Sequence, residues 1–103
     1  MISKYDRKQL NLMKRQLSYF KNDKIRIGDL IGEMEFLLNS IQSVDQRWKQ
    51  NIDNELEVLE EIYADALDKG LNTIEDDLSK QLLKQSISNI LIQISALMQK
   101  NDE

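Results

Sequence analysis

Residues 43–70 read SVDQRWKQNIDNELEVLEEIYADALDKG. Trp48, Ile52, Leu56, Leu59, Tyr63, Ala66 and Leu67 recur mostly at steps of three and four, the spacing that aligns side chains on one face of a helix. The stretch opens on Ser43-Val44-Asp45-Gln46, an S-x-x-Q pattern in which the Ser and Gln side chains can satisfy each other's exposed backbone donors. It closes on Gly70, the residue type that most easily takes a positive φ at a helix end. A helix of about 25 residues is predicted, roughly 37 Å long at a rise of about 1.5 Å per residue.

The same period continues on both sides. Leu10, Met13, Leu17 and Phe20 mark a first helix from about Ser3 to Lys21, and Asn22-Asp23 supplies a turn in which Asp23 is placed to cap the next helix. Ile27, Leu30, Ile31, Met34, Leu37, Leu38 and Ile41 mark a second helix that ends near Ser40 to Gln42. Beyond Gly70, the cap residues Asn72-Thr73 precede Ile74-Glu75-Asp76-Asp77, whose carboxylates suit the positive end of a helix dipole. The fourth helix then carries Ile74, Leu78, Leu82, Leu83, Ile87, Ile90, Leu91, Ile94, Leu97 and Met98 to about Gln99, with Ile92 beyond the main stripe. The prediction is an all-α fold, a compact antiparallel bundle of four helices with short turns, in which residues 1–103 form a single domain.

Composition agrees and excludes much chemistry. The 103 residues include no Pro, Cys or His and only three Gly, which removes most helix breakers and the means of building a turn-rich all-β fold. Without Cys and His there is no disulfide, no zinc or haem site built on them, no Ser-His-Asp or Cys-His nucleophile and no imidazole base. Neither a cofactor nor a metal is expected. The first residues, Met1-Ile2-Ser3-Lys4-Tyr5-Asp6-Arg7-Lys8, do not read as a secretory signal, and apolar runs such as Ile90-Leu91-Ile92 are far shorter than a membrane helix needs. The expectation is a soluble, cytoplasmic protein without enzymatic activity.

Charge is uneven. Residues 1–26 hold eight basic and two acidic side chains, against six and sixteen in residues 27–103. A net charge of −4 and the absence of a glycine-rich cradle argue against nucleic acid as a direct ligand, and the basic first helix reads as a solvated face that also pairs with the acidic third helix. On that third helix Asp53, Glu57, Glu61 and Asp65 are spaced by four, with Glu60 beside them and Asp68 three residues further on. They form an acidic ribbon opposite the apolar stripe, which is either an ordinary solvated face or a docking surface for the Lys and Arg of a basic protein. A third reading takes Glu57-x-x-Glu60 and Asp65-x-x-Asp68 as magnesium pairs like those of all-α nucleotide pyrophosphohydrolases. That reading suffers from placing both pairs on one helix.

Other features have structural readings. Gly28 and Gly32 form a G-x-x-x-G that suits close helix packing inside the bundle, and Trp48 falls on the core face as an anchor. The broad apolar arc of the fourth helix offers a self-associating face through Ile87, Ile92 and Ile94, the surface a helical adaptor or homodimer would use.

The segments Ile27-Gly28-Asp29-Leu30-Ile31-Gly32-Glu33-Met34-Glu35-Phe36-Leu37-Leu38, Trp48-Lys49 and Leu59-Glu60-Glu61-Ile62-Tyr63-Ala64-Asp65-Ala66-Leu67-Asp68-Lys69-Gly70 resemble small helical bacterial immunity proteins that accompany secreted or contact-delivered toxins, as in contact-dependent growth inhibition. The resemblance covers about residues 27–70. It implies a non-enzymatic antitoxin that binds the toxin domain of its own operon, often a nuclease, and blocks its active site. No residue-level binding motif carries over from it.

Overall fold

In the computed structural model, which describes residues 2–71 and 73–100, the Ser3 hydroxyl opens α1 (Lys4–Lys21) by accepting the Asp6 N–H at 3.0 Å. The helix closes through Asp23, whose φ of 59° places it in the left-handed region. The Asp23 N–H donates to the Phe20 carbonyl at 3.1 Å and the Lys24 N–H to the Tyr19 carbonyl at 2.8 Å, the two bonds of a Schellman closure. Asp23 therefore terminates α1, and the expectation that it caps the following helix is not met. That helix, α2 (Ile27–Ser40), starts after Arg26 with no side-chain cap.

The opening of α3 (Gln46–Asp68) also departs from the expected capping box. Asp45 is the cap, accepting the Arg47 N–H at 2.9 Å, because Ser43 is engaged by Asp6 from the other side of the bundle. Gly70 ends α3 as expected: its φ is 76°, its N–H donates to Leu67 at 2.9 Å, and the Leu71 N–H donates to Ala66 at 2.9 Å. The last helix, α4 (Asp77–Lys100), begins three residues after Ile74. Its first turn is held by Asp76, which accepts the Ser79 N–H at 2.8 Å, while the Thr73 hydroxyl donates to Glu75 at 3.1 Å. Asn72, the other expected cap, lies outside the described residues.

Each helix packs on its neighbours in the chain and α4 closes back on α1, giving the predicted four-helix bundle, 45 × 25 × 20 Å in extent. Leu10, Met13 and Leu17 of α1 meet Leu30 and Met34 of α2, Ile52, Leu56 and Leu59 of α3, and Ile90 and Ile94 of α4 in one fully buried core. Burying each such side chain contributes roughly 1.5–3 kcal/mol, which is why the stripes rather than the caps dominate the fold's stability. No helix among the described residues is long and apolar enough to cross a membrane.

The backbones of the diagonal helices do not come close, so α1 and α3 meet only through side chains in the shared core. The expected pairing of the basic first helix with the acidic third therefore lacks the side-by-side packing that would favour it. On α3 Ile62, which the expected stripe omits, is buried, while Trp48 and Tyr63 are half-buried and Leu67 is exposed. Tyr63 lies over Gly28, where an added Cβ would stand 2.8 Å from the Tyr63 hydroxyl, whereas Gly32 faces open space. Close packing thus applies to one of the two glycines. On α4, Leu78 and Leu82 are exposed, and Ile87 and Ile94 lie in the core. Of the three residues expected on a self-association face only Ile92, 62% exposed, is at the surface.

Candidate functional site

The outer face of α3 carries the acidic ribbon. Glu57, Glu60, Glu61, Asp65 and Asp68 are exposed and Asp53 is half-buried. With 3.6 residues per turn the six fall within an arc of about 140°, centred opposite the buried Ile52, Leu59 and Ala66. Their placement follows from that burial: the apolar stripe of α3 turns inward and leaves the carboxylates on the outer face. Asp65 meets Lys69 at 2.9 Å, and the hydrogen bond from Lys69, reinforced by the opposite charge, raises the lysine's pKa. Both side chains are well exposed, so this pair tunes charge more than it fixes structure.

The ribbon continues onto α2 at one point. Glu60 lies against Glu35, and the hydrogen bond that a proton on Glu60 would make to Glu35, slight desolvation and the like charge of Glu35 together push the Glu60 pKa above its ordinary value. Two carboxylates crowded this way are relieved by a cation placed between them. Next to Glu35 stands Phe36, 68% exposed, on the outward side of α2. The pairs Glu57 and Glu60, and Asp65 and Asp68, do not converge. Among the described residues no group of three or more acidic side chains is arranged to hold a metal ion. The geometry suits individual Lys or Arg side chains of a protein partner better than an octahedrally coordinated magnesium. Glu35 and Phe36 were not singled out by the sequence, although Phe36 was legible as the apolar residue that falls outside the stripe of α2.

At the opposite end of the bundle from the α3–α4 connection lies a buried polar cluster of a different kind. Asp6 is 1% exposed and its carboxylate accepts the Gln42 N–H at 3.1 Å, the Ser43 N–H at 2.6 Å and the Ser43 hydroxyl. Burial works against the anion, but the bonds from the Ser43 hydroxyl, the Ser43 and Gln42 N–H groups and Ser3 outweigh it and hold the Asp6 pKa below the ordinary 3.8. Beside it Gln9 donates to the Ser40 hydroxyl at 3.0 Å. The acceptor capacity of Asp6 is spent on the α2–α3 connection, so this carboxylate is a clasp for the fold, not a reacting group. A second tie, from the Trp48 indole N–H to the Gln93 carbonyl at 3.2 Å, joins α3 to α4.

No family model, curated protein or solved structure matches the chain.

Proposed function

We propose that this protein is an immunity protein: a non-enzymatic antitoxin that acts in the cytoplasm, binds a cognate bacterial toxin domain with a basic substrate face, such as a nuclease, and covers that face. The observation that carries the reading is the exposed carboxylate face of α3, continued by Glu35 on α2, in which Asp65 is the one member ion-paired among the described residues. A surface of this sign speeds encounter with a basic partner and mimics the phosphates the partner would otherwise hold. Phe36 supplies the exposed aromatic anchor that such interfaces use at their centre.

The test combines Glu57→Gln, Glu61→Gln, Asp65→Asn and Asp68→Asn in one variant and, separately, makes Phe36→Ala. All five positions are exposed, so helicity and melting temperature should be retained. The expected result is weaker binding to the toxin encoded beside this gene, a flatter salt dependence of the association rate, and loss of protection in cells expressing that toxin. Full protection with unaltered salt dependence would show the ribbon to be a solvated face, and the reading would fall.

A further inference from the structure

We propose that the cleft where α4 closes on the α1–α2 turn binds an anionic amphiphile: a single alkyl chain with a carboxylate or phosphate head. The cleft encloses about 990 Å³, at the upper end of the roughly 300–1,000 Å³ typical of small-molecule sites. Phe20, Ile25, Ile74, Leu83 and Ile87 are its buried or half-buried apolar lining. Around them stand five exposed cations, Lys21, Lys24, Arg26, Lys80 and Lys84, opposed by Asp23 and Asp29 alone. None of the five cations is in an ion pair among the described residues. The amino end of α2, which no side chain caps, adds partial positive charge at Arg26 and Ile27 on the same rim.

An apolar recess ringed by unpaired cations matches a ligand with one greasy end and one anionic end. A peptide helix is a poorer occupant, because it needs a long groove with apolar sockets at successive turns, and here the apolar residues form one compact patch at the base of a half-open cleft. A bilayer surface is poorer as well. It would engage protruding apolar side chains, whereas these are recessed among lysines. The cleft is separate from the acidic face of α3 and does not depend on the reading of that face.

The experiment titrates the full chain with decanoate or decyl phosphate below their micelle concentrations, following amide chemical shifts and binding heat. Octyl glucoside serves as a chain without charge, acetate and inorganic phosphate as heads without a chain, and anionic phospholipid vesicles as the bilayer arm. Expected is saturable binding of the decyl anions at a single site, with shifts concentrated in residues 20–27 and 80–88. Neither octyl glucoside nor the free heads should bind at equal concentration. Lys80→Gln with Lys84→Gln, on the exposed side of α4, should leave melting unchanged and weaken binding roughly tenfold, the loss expected of two partly screened charge contacts. Equal affinity for octyl glucoside, an unchanged affinity in the double variant, shifts scattered over the bundle, or binding confined to vesicles would each overturn the proposal.

Discussion

Asp6 offers the most demanding test of how this bundle is held together, because one carboxylate fastens the α2–α3 connection to α1 across 36 residues of chain. Asp6→Ala removes three acceptor contacts, those to the Gln42 N–H, the Ser43 N–H and the Ser43 hydroxyl. Hydrogen bonds to a charged group contribute roughly 1.5–3 kcal/mol each when both partners are dry. Gln42 and Ser43 are themselves exposed, so water can reach their freed donors, and the expected loss for the set is about 3 kcal/mol. For a domain of this size that loss corresponds to a fall in melting temperature of roughly 12–24 °C. Asp6→Asn should cost nearly as much, since its NH₂ group would have to face a donor.

The dependence on pH separates this account from simple loss of packing. The folded-state pKa of Asp6 lies below the unfolded value, so its contribution is fully present above about pH 4 and is lost as the pH falls through the folded pKa. Urea denaturation followed by circular dichroism from pH 7 to pH 2.5 should show the difference between the parent and Asp6→Asn shrinking on the acid side of pH 4. A gap that stays constant to pH 2.5, or an Asp6→Asn variant as stable as the parent at pH 7, would refute the clasp.

Other substitutions probe the ends and faces of the helices. Asp23→Gly should raise stability by about 1 kcal/mol and Gly70→Ala should lower it by about the same, because both positions are left-handed and only glycine adopts that conformation freely. Gly32→Ala should stabilise the bundle by about 0.5–1 kcal/mol by helix propensity alone, while Gly28→Ala gains less, since Tyr63 must yield to the new methyl. Both pairs are measured by chemical denaturation at pH 7. Glu60→Gln should stabilise the free protein by a few tenths of a kcal/mol at pH 7 and by progressively less as the pH falls. The raised Glu60 pKa means that protonation relieves the repulsion from Glu35 in the parent, and a pH-independent difference would contradict the pairing.

The helices were legible because their signal is local. Stripes such as Leu10, Met13, Leu17 and Ile52, Leu56, Leu59 repeat at the helical period and are buried in the structure. Local pattern failed where a distant residue won the competition. Ser43-x-x-Gln46 is a sound capping pattern, but Asp6 recruits Ser43 and leaves the cap to Asp45. Ile74, Leu78 and Leu82 continue the period of α4, yet the helix begins only at Asp77 and the two leucines stay exposed. The acidic ribbon could be read from spacing alone. The basic cleft could not, since Lys21, Lys24 and Arg26 meet Lys80 and Lys84 only through the closure of α4 onto α1.

The diagonal placement of α1 and α3 bears on how such a surface works. A chain whose first 26 residues are strongly basic and whose remainder is strongly acidic could neutralise itself most fully by laying α1 along α3, and in this bundle the two helices stand on a diagonal instead. Little stability is forgone, because exposed ion pairs contribute roughly 0–1 kcal/mol each. The charge that is not paired inside the molecule stays available to steer partners, over a distance of about 8–10 Å at physiological salt. Folding and binding should therefore respond differently to ionic strength. Between about 0.05 and 0.5 M salt, well beyond the range in which surface fields act unscreened, the urea midpoint should move little while the association rate of a partner docking on α3 falls steeply. A midpoint as salt-sensitive as the binding rate would mean that the charged faces support the fold itself, and the separation of roles argued from the diagonal would not hold.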